Sequence, residues 1–230
     1  MMPALILFDI DGTLLRTRGA GREATRRALL EVFGTEAGVA AHHFSGKTDW
    51  QTLVELLSGE GYTDQRIGVM MPLYDASVGR HTAEVIPQYE IAACEGALNA
   101  VEDLRRRDDL LLGIVTGNAR SAAPHKLRAA GFDPEWFVVG AYGSEALDRN
   151  HLTPLALERA RMRLGGEPAA VIVVGDTPMD IACARAIQAV AVAVECGFAS
   201  REELLAHQPD YLIPHLGEFV DVLDAVIMRS

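Results

Sequence analysis

Four unbroken apolar stretches punctuate the chain: Ala4–Phe8, Leu110–Val115, Ala169–Val174 and Ala189–Val194, rich in Leu, Ile, Val and Ala. A strand covered on one face alternates apolar with polar residues, whereas a strand covered on both does not. These four therefore predict parallel strands buried between two layers. Helical spacing fills the intervals between the later ones, with Leu98, Val101 and Leu104 before the second run, Leu155–Met162 before the third and Ile181–Ile187 after it. Strand alternating with helix predicts an α/β fold with a doubly wound parallel sheet. Residues 16–88 break the alternation. Ala24, Ala28, Leu29, Val32 and Phe33 make a helical stripe that stops at Gly34, and helical patterns recur over Asp49–Leu57 and Thr63–His81 with no strand-like run among them. The expected organisation is a core of residues 1–15 and 89–230, interrupted at 16–88 by a helical module.

Composition narrows the function classes. Of 230 residues, 49% are hydrophobic and 23% charged, enough for a sizeable core and unlike a disordered chain. The net charge of −11 speaks against general nucleic-acid or anionic-membrane binding, both of which need a basic surface. No apolar run approaches bilayer length, and the N-terminal run has no basic segment before it, so no signal peptide is expected. Cys94, Cys183 and Cys196 are odd in number and lack a CxxC pair, so they read as small buried hydrophobes and not as a disulfide or zinc framework. A cytoplasmic protein, monomer or homodimer, is the expectation.

Ligands of a doubly wound sheet bind beyond the carboxyl ends of its strands. The first run is followed there by Asp9-Ile10-Asp11-Gly12-Thr13, the second by Thr116-Gly117-Asn118, and the third by Gly175-Asp176-Thr177-Pro178-Met179-Asp180. Three strands thus deliver carboxylates and a hydroxyl to one edge. Repelling carboxylates gathered together call for a cation, and an all-oxygen set suits Mg²⁺. Each motif taken alone has a plainer reading: Asp11-Gly12 as a turn, Thr116-Gly117-Asn118 as ordinary residues after a strand, and Thr177-Pro178 with Asp180 as a helix cap. The combination, order and spacing favour chemistry.

This pattern resembles the haloacid dehalogenase-like hydrolase superfamily, and within it the phosphoglycolate phosphatase-like members with a helical cap on a Rossmann-like core. The resemblance makes residues 16–88 the cap and implies a Mg²⁺-dependent phosphatase acting on a small phosphorylated metabolite. Asp9 would attack phosphorus to form an aspartyl-phosphate. Asp11 would protonate the leaving oxygen and then activate water. Asp9, the main-chain carbonyl of Asp11, and Asp176 would hold the metal, with Asp180 orienting them from outside. Thr116, with Gly117 and Asn118, would bind the phosphoryl oxygens. One element departs from the pattern: the family places a Lys before the third strand, and no Lys follows Lys126 here. Arg149 is the expected substitute, keeping a permanent charge and a two-pronged grip, with His151 a weaker candidate. Ser45-Gly46-Lys47-Thr48-Asp49 is not a phosphate-binding Walker loop, because Ala41 stands where that loop needs Gly and no strand precedes it. The related phosphatases carry a similar segment on the cap facing the site, so Lys47 is a candidate for the substrate's anionic tail. A helix N-terminus capped by Thr48 or Asp49 is the plainer alternative. Arg18 and Arg22 are further basic candidates at the cap entry, and Trp50, Tyr62 and Tyr74 read as cap packing. On the same fold, a haloacid dehalogenase dispenses with Mg²⁺ and with the second aspartate, a phosphosugar mutase keeps both aspartates, and phosphonate hydrolysis needs a cap Lys, here only Lys47. A non-catalytic binding protein would fit the missing third-motif Lys but not the intact Asp9, Asp11 and Asp176.

Overall fold

A computed structural model describes residues 2–227. In chain order the elements are β1 (Ala4–Phe8), β2 (Leu15–Arg16), α1 (Ala20–Phe33), α2 (Asp49–Leu57), α3 (Asp64–Val85), β3 (Ala92–Ala93), α4 (Ala97–Leu104), β4 (Leu110–Thr116) and α5 (Ala123–Ala129). There follow β5 (Val139–Tyr142), α6 (Leu152–Leu164), β6 (Val171–Gly175), α7 (Pro178–Ala186), β7 (Val190–Val194), α8 (Arg201–Ala206), β8 (Tyr211–Ile213) and α9 (Phe219–Ile227). Six of the strands form one parallel sheet in the order β5-β4-β1-β6-β7-β8. All five residues of β1 are buried, as its unalternating sequence requires. Ile6 and Phe8 pack on one face with α4, α5 and α9, while Leu5 and Leu7 pack on the other with α6, α7 and α8. The sheet is doubly wound. β5 and β8, four and three residues long at the two edges, are not among the four runs that predicted strands.

The helical insertion has its own apolar core. Ala24, Ala28 and Leu29 of α1 pack with Leu53 and Leu57 of α2 and with Ile67, Met71, Tyr74 and Val78 of α3. Sequence punctuation sets its helix ends: Gly34 closes α1 in the left-handed region (φ 73°), and Thr48 and Thr63 cap α2 and α3 through their hydroxyls. Ala119 and Ala122, which follow β4, join this core, so the helical unit rests on the sheet's carboxyl edge. Chain enters and leaves it through β2 and β3, an antiparallel two-residue ribbon pairing Leu15 with Ala93 and Arg16 with Ala92.

In the sheet, Phe8 of β1 lies opposite both Ile114 of β4 and Val174 of β6. Asp9 follows Phe8 directly, and Thr116 and Asp176 stand two residues beyond Ile114 and Val174, so all three come to the same edge of the sheet.

Candidate active site

Asp9 is almost fully buried, and its backbone N–H donates to Val174 O at 2.9 Å, so both strands fix its position. Arg149 Nη2 lies 3.0 Å from Asp9 Oδ1 and also pairs with Asp180 Oδ1. Arg149 is 3% exposed, in a single helical turn just before α6 whose first N–H bonds are capped by Asp148. Its Nε is buried with no hydrogen-bond partner, a donor left for something else. His151, two residues on, is exposed.

Asp176, fully buried, accepts from Thr13 Oγ1 at 3.1 Å and from Phe198 N at 2.7 Å. Asp180 closes a capping box at the start of α7: its Oδ2 accepts from Thr177 N at 3.0 Å and from Thr177 Oγ1 at 2.6 Å. The cap and the site are one arrangement. Asp9, Asp176 and Asp180 each bring a carboxylate oxygen within 4.8 Å of the others, a set that can hold a cation. Burial pushes Asp9 up to about 7, against the pull of Arg149 and with added repulsion from Asp180 and Asp11. Burial, followed by repulsion from Asp180 and Asp9, holds Asp176 well above the usual carboxylate range. One guanidinium does not offset this much buried negative charge, and a hard divalent ion with oxygen ligands fits it.

Asp11 points away from that cluster. Its Oδ2 accepts from Asn118 Nδ2 at 2.7 Å and from Lys126 Nζ at 2.8 Å, and its Oδ1 accepts from Thr17 Oγ1 at 3.3 Å. The Asn118 amide also donates to Thr116 Oγ1 at 2.7 Å, and so, at 3.3 Å, does the Asn118 backbone N–H. The hydroxyl is thereby saturated as an acceptor, and its own proton is left to donate. Gly117 meets the helical insertion, its carbonyl accepting from Asp49 N at 2.7 Å.

Over these residues lies a cavity of about 340 Å³, walled by Asp9, Asp11, Thr116, Lys126 and Arg149 from the sheet side and by α1, α3 and residues 43–52 from the helical unit. Lys47 lines it but spends its Nζ on Glu55 Oε2. Arg22 also lines it, yet donates to the carbonyls of Val39, Ala40 and His42 and stands 4.8 Å over the Phe44 ring. Arg18 is exposed and pairs with Glu90. Tyr74 is buried in the helical core, and Tyr62 donates to Phe33 O, so both are packing residues. Asp49 accepts from Ala119 N at 2.8 Å, and burial raises its carboxyl to about 6.

Sequence reasoning missed Lys126. It is 6% exposed and lies on the inner face of α5 between Ala123 and Leu127. Two signals were present. A Lys stands in an apolar helical stripe, and the chain holds only two lysines, Lys47 and Lys126, against nineteen arginines. Both lysines line this cavity.

The family description "haloacid dehalogenase-like hydrolase" matches residues 3–188. A phosphoglycolate phosphatase of Synechococcus elongatus is 29% identical over 212 residues, covering 90% of this chain and 91% of that one. The pyrophosphatase PpaX of Bacillus pumilus is 24% identical over 221 residues, covering 96% of each. The crystal structure of a predicted phosphatase from Clostridium acetobutylicum superposes with a TM-score of 0.68 at 18% identity over the whole of both chains, a likeness of fold.

Proposed function

The chain belongs to the haloacid dehalogenase-like hydrolases, and from that premise we propose that it is a Mg²⁺-dependent phosphatase of small phosphorylated metabolites, working through an aspartyl-phosphate on Asp9. The observation that carries this reading is Asp9 itself, buried, in contact with Arg149, and facing a cavity of about 340 Å³. A cavity of that size suits a compact phosphomonoester, and the phosphoglycolate phosphatase and pyrophosphatase relatives make one of phosphoglycolate size the first candidate. Residues 16–88 act as the cap that excludes water and bulky esters.

Asp9 and Asp176, with the main-chain carbonyl of Asp11, would hold the Mg²⁺, and Asp180 supports them through Thr177 and Arg149. Bound there, the ion would screen a carboxylate nucleophile from an anionic phosphate. Asp9 attacks phosphorus. Arg149 Nε and the Thr116 hydroxyl proton are free donors for the phosphoryl oxygens as charge spreads over them. Asp11 gives its proton to the departing ester oxygen, then takes one from the water that hydrolyses the aspartyl-phosphate. Arg149 serves where the family has a Lys, with a fixed charge that Asp180 aims at Asp9.

The test is a panel of phosphorylated metabolites with Mg²⁺, read by phosphate release. Turnover is expected on small phosphomonoesters, abolished by EDTA and reduced at least ~10³-fold in Asp9→Asn, since a covalent route without its nucleophile falls to background. Turnover that persists in Asp9→Asn overturns the assignment.

A further inference from the structure

Lys126 has no part in the reaction described so far. Yet it is the most buried lysine of a chain that has two, and it ends on the group that must give up a proton. Its Nζ stands 2.8 Å from Asp11 Oδ2 and also donates to Asn118 Oδ1, while the Asn118 amide donates to the same Asp11 oxygen at 2.7 Å. A β-carbon at Gly21 would lie 3.2 Å from Nζ and 3.6 Å from Cε. The missing side chain in α1 leaves room for the ammonium group, and the helical unit seals it in. An ammonium is a point charge with three donors, which suits this small socket, whereas the planar guanidinium used nearly everywhere else in the chain does not.

We infer that Lys126 is a positioning residue for leaving-group protonation, acting through Asp11; this rests on the phosphatase reading above. With Asn118 it holds the Asp11 carboxyl toward the cavity. As the phosphorus–oxygen ester bond breaks, its electron pair stays on the departing oxygen, the Asp11 proton moves to that oxygen, and a negative charge grows on Asp11 within 2.8 Å of a fixed cation. A charge that appears only in the transition state is the kind a pre-placed cation stabilises selectively. The cationic work given to one third-motif Lys in the family is thereby divided: Arg149 attends the nucleophile, and Lys126 the proton donor.

The experiment compares kcat/KM for an alkyl phosphate and for p-nitrophenyl phosphate at saturating Mg²⁺ in the wild type and in Lys126→Met, an uncharged near-isostere. An alkoxide needs its proton to leave; a nitrophenolate does not. The variant is expected to lose about 10²-fold on the alkyl ester and under about fivefold on the aryl ester, the range that general-acid assistance supplies. Losses equal on both esters, or no loss on either, overturn the assignment, because a structural defect does not distinguish leaving groups. Thermal unfolding confirms that the variant is folded, and Lys126→Gln takes its place if it is not. A wild type that hydrolyses neither ester nor any metabolite of the panel counts against the phosphatase reading itself.

Discussion

Gly12 adopts φ +91°, and a β-carbon there would sit 2.3 Å from Asp176 Oδ2. The Asp-x-Asp-Gly turn thus needs a residue without a side chain for two separate reasons, backbone handedness and the approach of β6's carboxylate. Gly12→Ala is expected to destabilise by about 1–3 kcal/mol, the usual cost of a strained backbone site. It should also weaken Mg²⁺ binding, measured by calorimetry, because Asp176 must move. The strand-end residues were legible because each directly follows an apolar run. Lys126 was harder, since 115 positions separate it from Asp11 and only the packing of α5 joins them. Arg149 lay between these cases. Its charge, approximate place and approach to the nucleophile followed from the motif order, but its pairing with Asp180 did not.

Among the elements, α7 shows how a helix start becomes part of a site. Thr177 and Asp180 exchange hydrogen bonds across the first turn, and Asp180 keeps its other oxygen for Arg149. Removing the hydroxyl in Thr177→Ala should cost about 1 kcal/mol and lower Tm by about 2–4 °C for a chain of this size. Asp180 would still hold Arg149, so activity should fall less than stability suggests. The turn and the carboxylate are thus separable by comparing unfolding with turnover. Elements were readable from the sequence in proportion to their length and burial. α2 runs over Asp49–Leu57, the span its periodicity predicts, and β1 over Ala4–Phe8. The edge strands β5 and β8 and the two-residue ribbon are brief, and their short runs stand out less than the four central ones.

Taken whole, the molecule carries a charge of −11, yet four cations, Arg22, Lys47, Lys126 and Arg149, line the cavity over Asp9. The net charge disfavours polyanions at the surface, while the positive side chains gathered in one cavity are the local exception the proposed function needs. The same contrast sets how stability responds to pH. An acid whose folded pKa exceeds its unfolded value keeps its proton longer in the folded chain. Asp9 therefore makes the metal-free fold less stable as pH rises from about 4 to about 7, and Asp176 acts in the same direction. A divalent ion competes with those protons. The rise in Tm on adding Mg²⁺ should thus be larger at pH 8 than at pH 6, and comparing each pH with and without metal cancels all other titrations. An equal rise at both would mean that these carboxylates are ionised throughout.

The ribbon of β2 and β3 has a consequence for how such a chain can change. Leu14 O accepts from Cys94 N at 2.9 Å, and the ribbon pairs follow directly, so the points where the helical unit departs and returns are bonded to each other. To the sheet, everything in between is one loop with tethered ends, and lengthening a closed loop costs little entropy. The doorway stays the same whatever lies beyond it. A lineage could exchange the whole helical unit as a cassette, selecting new esters, while the strand ends that do the chemistry inherit their geometry unaltered.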